Sequence, residues 1–156
     1  MLPDLAGLVS ALNEGGVQSV VIGGVAVGAH GKIRATEDLD IVPEPNRQNL
    51  NALANLLIRL DARLASDPER GIDLEIRRAL QQGRNLTVNT ELGDLDIVQR
   101  MPGIPTWDEL LGDAETTTLA DQPLRVASRA HLIAMKRARA SLQDQADLEA
   151  LESDSG

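Results

Sequence analysis

Val17-Gln18-Ser19-Val20-Val21-Ile22-Gly23-Gly24 and, further on, Asp38-Leu39-Asp40-Ile41-Val42-Pro43 are the two stretches that decide the fold of this 156-residue chain. The first is a β-branched run closed by a glycine pair, which reads as a strand ending in a tight turn. Val25 to Ala29 follows as a short helix of small residues, with Gly31 as its stop. The second stretch is a strand cut off by Pro43 and Pro45. Side chains alternate faces along a strand, so Asp38 and Asp40 share one face while Leu39 and Ile41 turn to a core. The same pentapeptide, Asp-Leu-Asp-Ile-Val, recurs at Asp94 to Val98. If these strands are neighbours, Asp96 reaches the spot occupied by Asp38 and Asp40. Asp94 lies on that face too, but it abuts the Gly93 turn, whereas Asp96 sits inside the strand.

Working outward, Leu5, Leu8, Val9 and Leu12 fall at helical spacing until Gly15-Gly16 stops the pattern near Glu14. Asn46 is a cap for a long helix to about Leu64, striped by Leu50, Leu53, Leu57 and Leu60. Ser66 to Gly71 is a loop, and Ile72 to Leu80 is a short helical stretch. Arg84 to Thr90 and Asp94 to Val98 form an antiparallel hairpin around Glu91-Leu92-Gly93. Thr106 caps a helix through Leu111, with Trp107 as its core anchor, and strands over Thr116 to Leu119 and Leu124 to Val126 flank a turn at Asp121 to Pro123. Ser128 caps a closing helix with Leu132, Ile133 and Met135, and a last segment runs from about Gln143 to Leu151. The expected architecture is a single α/β (α+β) domain over residues 1–151, a mixed sheet packed by helices with helices at the C-terminus, and a frayed tail at 152–156.

Composition removes several function classes. A formal charge of −9 argues against broad, non-specific nucleic-acid binding, which depends on neutralising many phosphates. The cations Arg77, Arg78, Arg84 and Arg100 amount to a modest basic rim. Trp107 is the only aromatic residue, so no base-stacking platform can be built. Without cysteine there is neither a disulfide framework nor a thiolate metal site, and a reducing cytoplasm is the expected location. The most apolar run, Val20 to Ala29, holds three glycines and is shorter than the roughly 20 residues a membrane span requires, so no membrane association is expected.

An isolated Asp-x-Asp on a strand is usually a solvated face, and a lone Gly-Gly is usually a turn. Their conjunction carries the argument. A strand that ends in glycines and opens a helix presents free N–H groups suited to phosphate, and glycine admits close backbone approach. Three converging carboxylates supply hard oxygen ligands for a divalent cation such as Mg²⁺ or Mn²⁺. His30, ahead of Gly31 at a helix end, suits a structural capping role better than catalysis.

Gly23-Gly24, Ala26, His30-Gly31, Arg34, Thr36 and Asp38-Leu39-Asp40 together resemble the signature of the polymerase-beta-like nucleotidyltransferase superfamily, in particular its minimal and abortive-infection (toxin-type) branches. The likeness extends to Asp96 and to Leu132-Ile133-Ala134-Met135-Lys136, with Arg139, Asp144 and Asp147 beyond. It implies the nucleotidyltransferase fold. It also implies transfer of a nucleoside monophosphate from a nucleoside triphosphate to an acceptor hydroxyl of RNA, protein or a small molecule, with release of pyrophosphate. Asp38, Asp40 and Asp96 would be the catalytic metal ligands. Gly23, Gly24, Arg34 and Thr36 would bind nucleotide, and Lys136, one of two lysines, would contact its phosphates. Asp144 and Asp147 would support Lys136 or Arg139 by ion pairing. A cognate toxin or antitoxin is the implied partner, and the competing reading is a non-catalytic nucleotide-binding antitoxin or partner subunit of the same fold. Two departures stand out: Gly24 replaces the serine common in such motifs, and no separate acceptor domain is evident.

Overall fold

The computed structural model describes residues 3–30 and 36–140. Asp4 caps α1 (Leu5–Glu14) by accepting from the Gly7 N–H, and Leu8, Val9 and Leu12 form its buried face. β1 (Ser19–Ile22) passes directly into α2 (Gly23–Ala29), which begins at the glycine pair and not after it. β2 (Asp38–Pro43) leads to α3 (Arg47–Arg59), capped by Asn46. This helix ends five residues before the expected Leu64. Asp61 adopts φ 50°, and the chain turns so that β3 (Arg63–Leu64) can pair with a later strand. Leu60 and Leu64 keep an apolar spacing that mimics helix, but burial of Leu64 is satisfied from a strand.

The rest follows as α4 (Leu74–Gln81), β4 (Leu86–Thr90), β5 (Gly93–Ile97), α5 (Trp107–Asp113), β6 (Glu115–Leu119), β7 (Gln122–Val126) and α6, described over 129–140. Thr106 caps α5 by accepting from the Glu109 N–H, and its hydroxyl donates to the Glu109 carboxylate. The β6–β7 turn is centred on Ala120-Asp121, both at positive φ, so Pro123 lies within β7 and not in the turn. Among the described residues no helix is long and apolar enough to cross a membrane.

Seven strands form one mixed sheet in the order β3-β4-β5-β2-β1-β7-β6. β2 runs parallel to β5 and β1 parallel to β7; the remaining pairs are antiparallel. On one face Leu39, Ile41, Leu95, Ile97 and Val126 pack with Leu8, Leu12, Leu53, Leu57 and Leu80 from α1, α3 and α4. On the other, Val20, Ile22, Val42 and Val98 pack with Leu110 of α5 and Met135 of α6. The apolar part of this second face is what α5 and α6 cover. The acidic residues of β2 and β5 share the same face beyond it, half-buried.

Asn49, the one buried polar side chain among the described residues, ties the start of β1 to the end of β2. It accepts from the Gln18 N–H at 2.7 Å and donates to the Gln18 and Glu44 carbonyls, each at 2.9 Å. Asn49→Ala would leave the Gln18 N–H and the Glu44 carbonyl without this partner, while the Gln18 carbonyl keeps its bond from the Glu44 N–H. The substitution is expected to cost about 2–4 kcal/mol, read as a lower urea midpoint with an unchanged slope.

Candidate active site

Registry builds the site. β2 and β5 align in parallel with Asp38 beside Asp94 and Asp40 beside Asp96, so the two copies of Asp-Leu-Asp-Ile-Val lie side by side in step. β1 adds Ile22 beside Asp40, which brings Gly23 over that carboxylate. Gly23 has φ +72°, and a Cβ there would overlap the Asp40 carboxyl group. The residue therefore has to be glycine for both its backbone angle and its neighbour. Gly24 lies against Thr36, whose Cβ and Oγ1 would each be 3.1 Å from an added Cβ.

Asp40 is the electrostatic centre. Burial, then the charges of Asp38 and Asp96, and hydrogen bonds shared with those two groups push its carboxyl from an ordinary 3.8 up to about 7. Desolvation penalises the charged form, and adjacent carboxylates add repulsion that a shared proton relieves. Asp94 is not among the groups acting on Asp40, although it shares the face. The flanking carboxylates are held from outside the trio: Thr87 Oγ1 donates to Asp96 Oδ1 at 2.8 Å, and Thr36 Oγ1 to Asp38 Oδ1 at 3.1 Å. Asn89 Nδ2 donates to Asp94 Oδ1 at 3.1 Å. Thr87 and Asn89 were not anticipated from sequence.

The donor set suits Mg²⁺ in kind, being hard anionic oxygens, and in charge, since Asp40 takes up a proton where a cation would serve. It is an open set. Among the described residues no group of three or more His, Cys, Asp or Glu side chains could hold a metal ion as the side chains stand.

The other candidates are placed as follows. Thr36 lies beside Gly24 and bonds Asp38, so its hydroxyl serves a carboxylate. Lys136 is exposed on α6, next to Met135, whose side chain packs on the carboxylate-bearing face of the sheet. Arg34, Asp144 and Asp147 lie outside the described residues, as does the 152–156 tail. His30 is structural: it ends α2 and its Nε2 lies 2.9 Å from the Ala127 carbonyl. In the basic rim, Arg77 donates to Asn55 Oδ1 and Arg100 to the Gln82 carbonyl. A cleft of about 530 Å³ opens beside Gly24 and Thr36, walled by Val25, Leu119 and Leu124. Another, of about 310 Å³ between α1 and β7, contains none of the candidate residues.

No protein-family profile matches the chain, and no curated protein matches it in sequence. Solved structures do match in shape. One, described as a candidate nucleotidyltransferase from Thermotoga maritima, superimposes with a TM-score of 0.58 at 14% identity, covering 96% of this chain and 88% of that one. The antibiotic-resistance factor ANT(2″)-Ia in solution gives 0.49 at 15% identity, covering 97% of this chain and 94% of that one. ANT(2″)-Ia in complex with adenylyl-2″-tobramycin gives 0.49 at 14%, covering 97% and 99%. The likeness to the Thermotoga protein is one of fold, and it matches the mixed α/β architecture expected from the sequence.

Proposed function

We propose that this protein is a nucleotidyltransferase that uses Mg²⁺ or Mn²⁺ to move a nucleoside monophosphate from a nucleoside triphosphate to an acceptor hydroxyl. The observation that carries the reading is the gathering of Asp38 and Asp96 around Asp40 beneath Gly23, with the Asp40 carboxyl raised to about 7 by burial and by those neighbours. A strand with a purely solvated polar face would not bury one carboxylate and set two others against it. Burial of a carboxylate among like charges is a mark of functional sites.

In this reading Asp38, Asp40 and Asp96 hold the cation, which when bound neutralises the triphosphate and the charge that builds up during transfer. The start of α2 at Gly23-Gly24, where Ile22 offers no side-chain cap, leaves backbone N–H groups for phosphate oxygens. Arg34 and Lys136 are assigned to the phosphates on the strength of the sequence resemblance. The acceptor oxygen forms a bond to the α-phosphorus as the bridge to the β-phosphate breaks. Pyrophosphate leaves, and Asp96 takes the acceptor's proton. The acceptor belongs to RNA, protein or a small molecule. The toxin-type assignment, and with it a cognate toxin or antitoxin, rests on the sequence resemblance alone.

The test is paired labelling. With Mg²⁺, total RNA and cell lysate, a triphosphate labelled at the α-phosphate is expected to label an acceptor, while γ-label is released in pyrophosphate. Acceptor labelled from the γ-phosphate would make the protein a kinase. Binding of nucleotide without consumption of any of the four triphosphates would make it a non-catalytic relative.

A further inference from the structure

Resting on that reading, we infer that Thr87 is a positioning residue for the transfer site: its hydroxyl fixes the Asp96 carboxylate so that one oxygen is committed and the other is turned toward Asp40. Three strands set this up in one row. Thr87 of β4 is directly opposite Asp96 of β5, and Asp96 is in step with Asp40 of β2. The Thr87 Oγ1 to Asp96 Oδ1 bond, at 2.8 Å, is the shortest of the three that hold the acidic row from outside.

Thr87 suits the task because a β-branched side chain on a strand has little χ1 freedom, so its hydroxyl points where the backbone puts it. Aspartate has two rotatable side-chain bonds, and without a donor on the β4 side nothing from that strand would stop its carboxylate from rotating. Thr87 is exposed and buries nothing of the core. Its hydroxyl is therefore not explained by packing. Thr36 plays a looser part at Asp38, since its Oγ1 lies 3.1 Å from both the Asp38 carboxylate and the Asp38 backbone carbonyl, which share its single proton. Asn89 makes the equivalent contact to Asp94, the acidic residue that does not act on Asp40, and so provides an internal control.

The experiment measures Mn²⁺ binding to the purified full chain by electron paramagnetic resonance, alongside thermal melts and steady-state transfer kinetics. Thr87→Val keeps the branched shape and strand preference but removes the donor. It is expected to weaken Mn²⁺ about tenfold, in line with the effect of residues that orient metal ligands. It should also lower kcat with little change in KM for the triphosphate and leave the melting temperature unmoved. Thr87→Ser should restore Mn²⁺ affinity, and Asn89→Ala should retain it. If Thr87→Val binds Mn²⁺ like wild type while Asp40→Asn does not, the role of Thr87 is overturned and the transferase reading survives. Equal weakening by Asn89→Ala would likewise overturn it. If Asp40→Asn itself binds Mn²⁺ like wild type, the metal-site reading fails first.

Discussion

Asp40→Asn is expected to abolish nucleotide transfer, by about a thousandfold or more, while leaving the metal-free protein more stable than wild type at pH 8. The two effects have one cause. Asp40 is charged at pH 8 only against its own burial and the opposition of Asp38 and Asp96, which together hold its carboxyl at about 7 where an unfolded chain would have 3.8. A folded carboxyl raised in this way binds protons more tightly than the unfolded one, so its contribution to stability falls as pH rises from about 4 through 7. At about 1.4 kcal/mol per pH unit the gap is worth roughly 4 kcal/mol, and screening at this half-exposed position reduces it to about 1–2 kcal/mol. Asparagine removes the charge, keeps the shape, and can donate to both neighbouring carboxylates. The melting temperature should therefore rise by about 3–6 °C at pH 8, and the advantage should shrink toward nothing near pH 4, where Asp40 is protonated in wild type. An Asp held by buried cationic or amide partners would behave oppositely, because its loss would strand them. Loss of an anionic metal ligand costs several kcal/mol of transition-state stabilisation, hence the thousandfold figure. Melts at pH 8 and pH 4, with and without Mg²⁺ and triphosphate, check all of this. A variant that melts lower than wild type at pH 8, or still transfers nucleotide, would remove Asp40 from the site.

Much of this arrangement was legible in the sequence because it depends on local periodicity. Alternation in Asp-Leu-Asp-Ile-Val sets the acidic and apolar faces of β2 and β5 whatever their neighbours are, and Gly23-Gly24 marks the strand-to-helix junction. What could not be read depends on register and on non-local pairing. The hairpin around Glu91-Leu92-Gly93, taken as a three-residue loop, would set Thr90 against Asp94 and hence Val88 opposite Asp96. The actual loop is Glu91-Leu92, with Gly93 already paired to Thr90 at φ +137° and the Thr90 hydroxyl bonded to the Gly93 carbonyl. One residue of slip exchanges the two faces of β4. That single residue separates a buried Val88 from the Thr87 hydroxyl that holds Asp96. Similarly, the leucine spacing that carried α3 on to Leu64 could not show that Leu64 is buried by pairing with β4. The parallel pairing of β1 with β7 joins segments about a hundred residues apart, and no local pattern reports it.

Gly23→Ala is the other change with a large expected effect, and it tests whether the glycine is there for the site or only for the turn. A left-handed backbone angle costs an alanine about 1–2 kcal/mol, and Gly23 has φ +72°. A turn-only role would stop there. The Cβ would in addition overlap the Asp40 carboxyl, with Asp40 Cβ only 3.1 Å away, so either the carboxylate or the start of α2 must move. The metal-free protein is therefore expected to lose about 2–3 kcal/mol in total, and transfer should fall by about two orders of magnitude because a shift of roughly 1 Å at the reacting groups is enough to do so. Asp40→Ala deletes the overlapping carboxyl atoms but not the backbone strain. In the double variant Gly23→Ala/Asp40→Ala most of the stability loss assigned to overlap should disappear, only the 3.1 Å contact with the retained Cβ of residue 40 remaining, which gives a coupling of about 1 kcal/mol between the two positions, while transfer stays lost. Independent behaviour in that cycle, with Gly23→Ala still transferring at the wild-type rate, would mean that Gly23 serves the turn alone and that the Asp40 carboxylate has room the structure does not show.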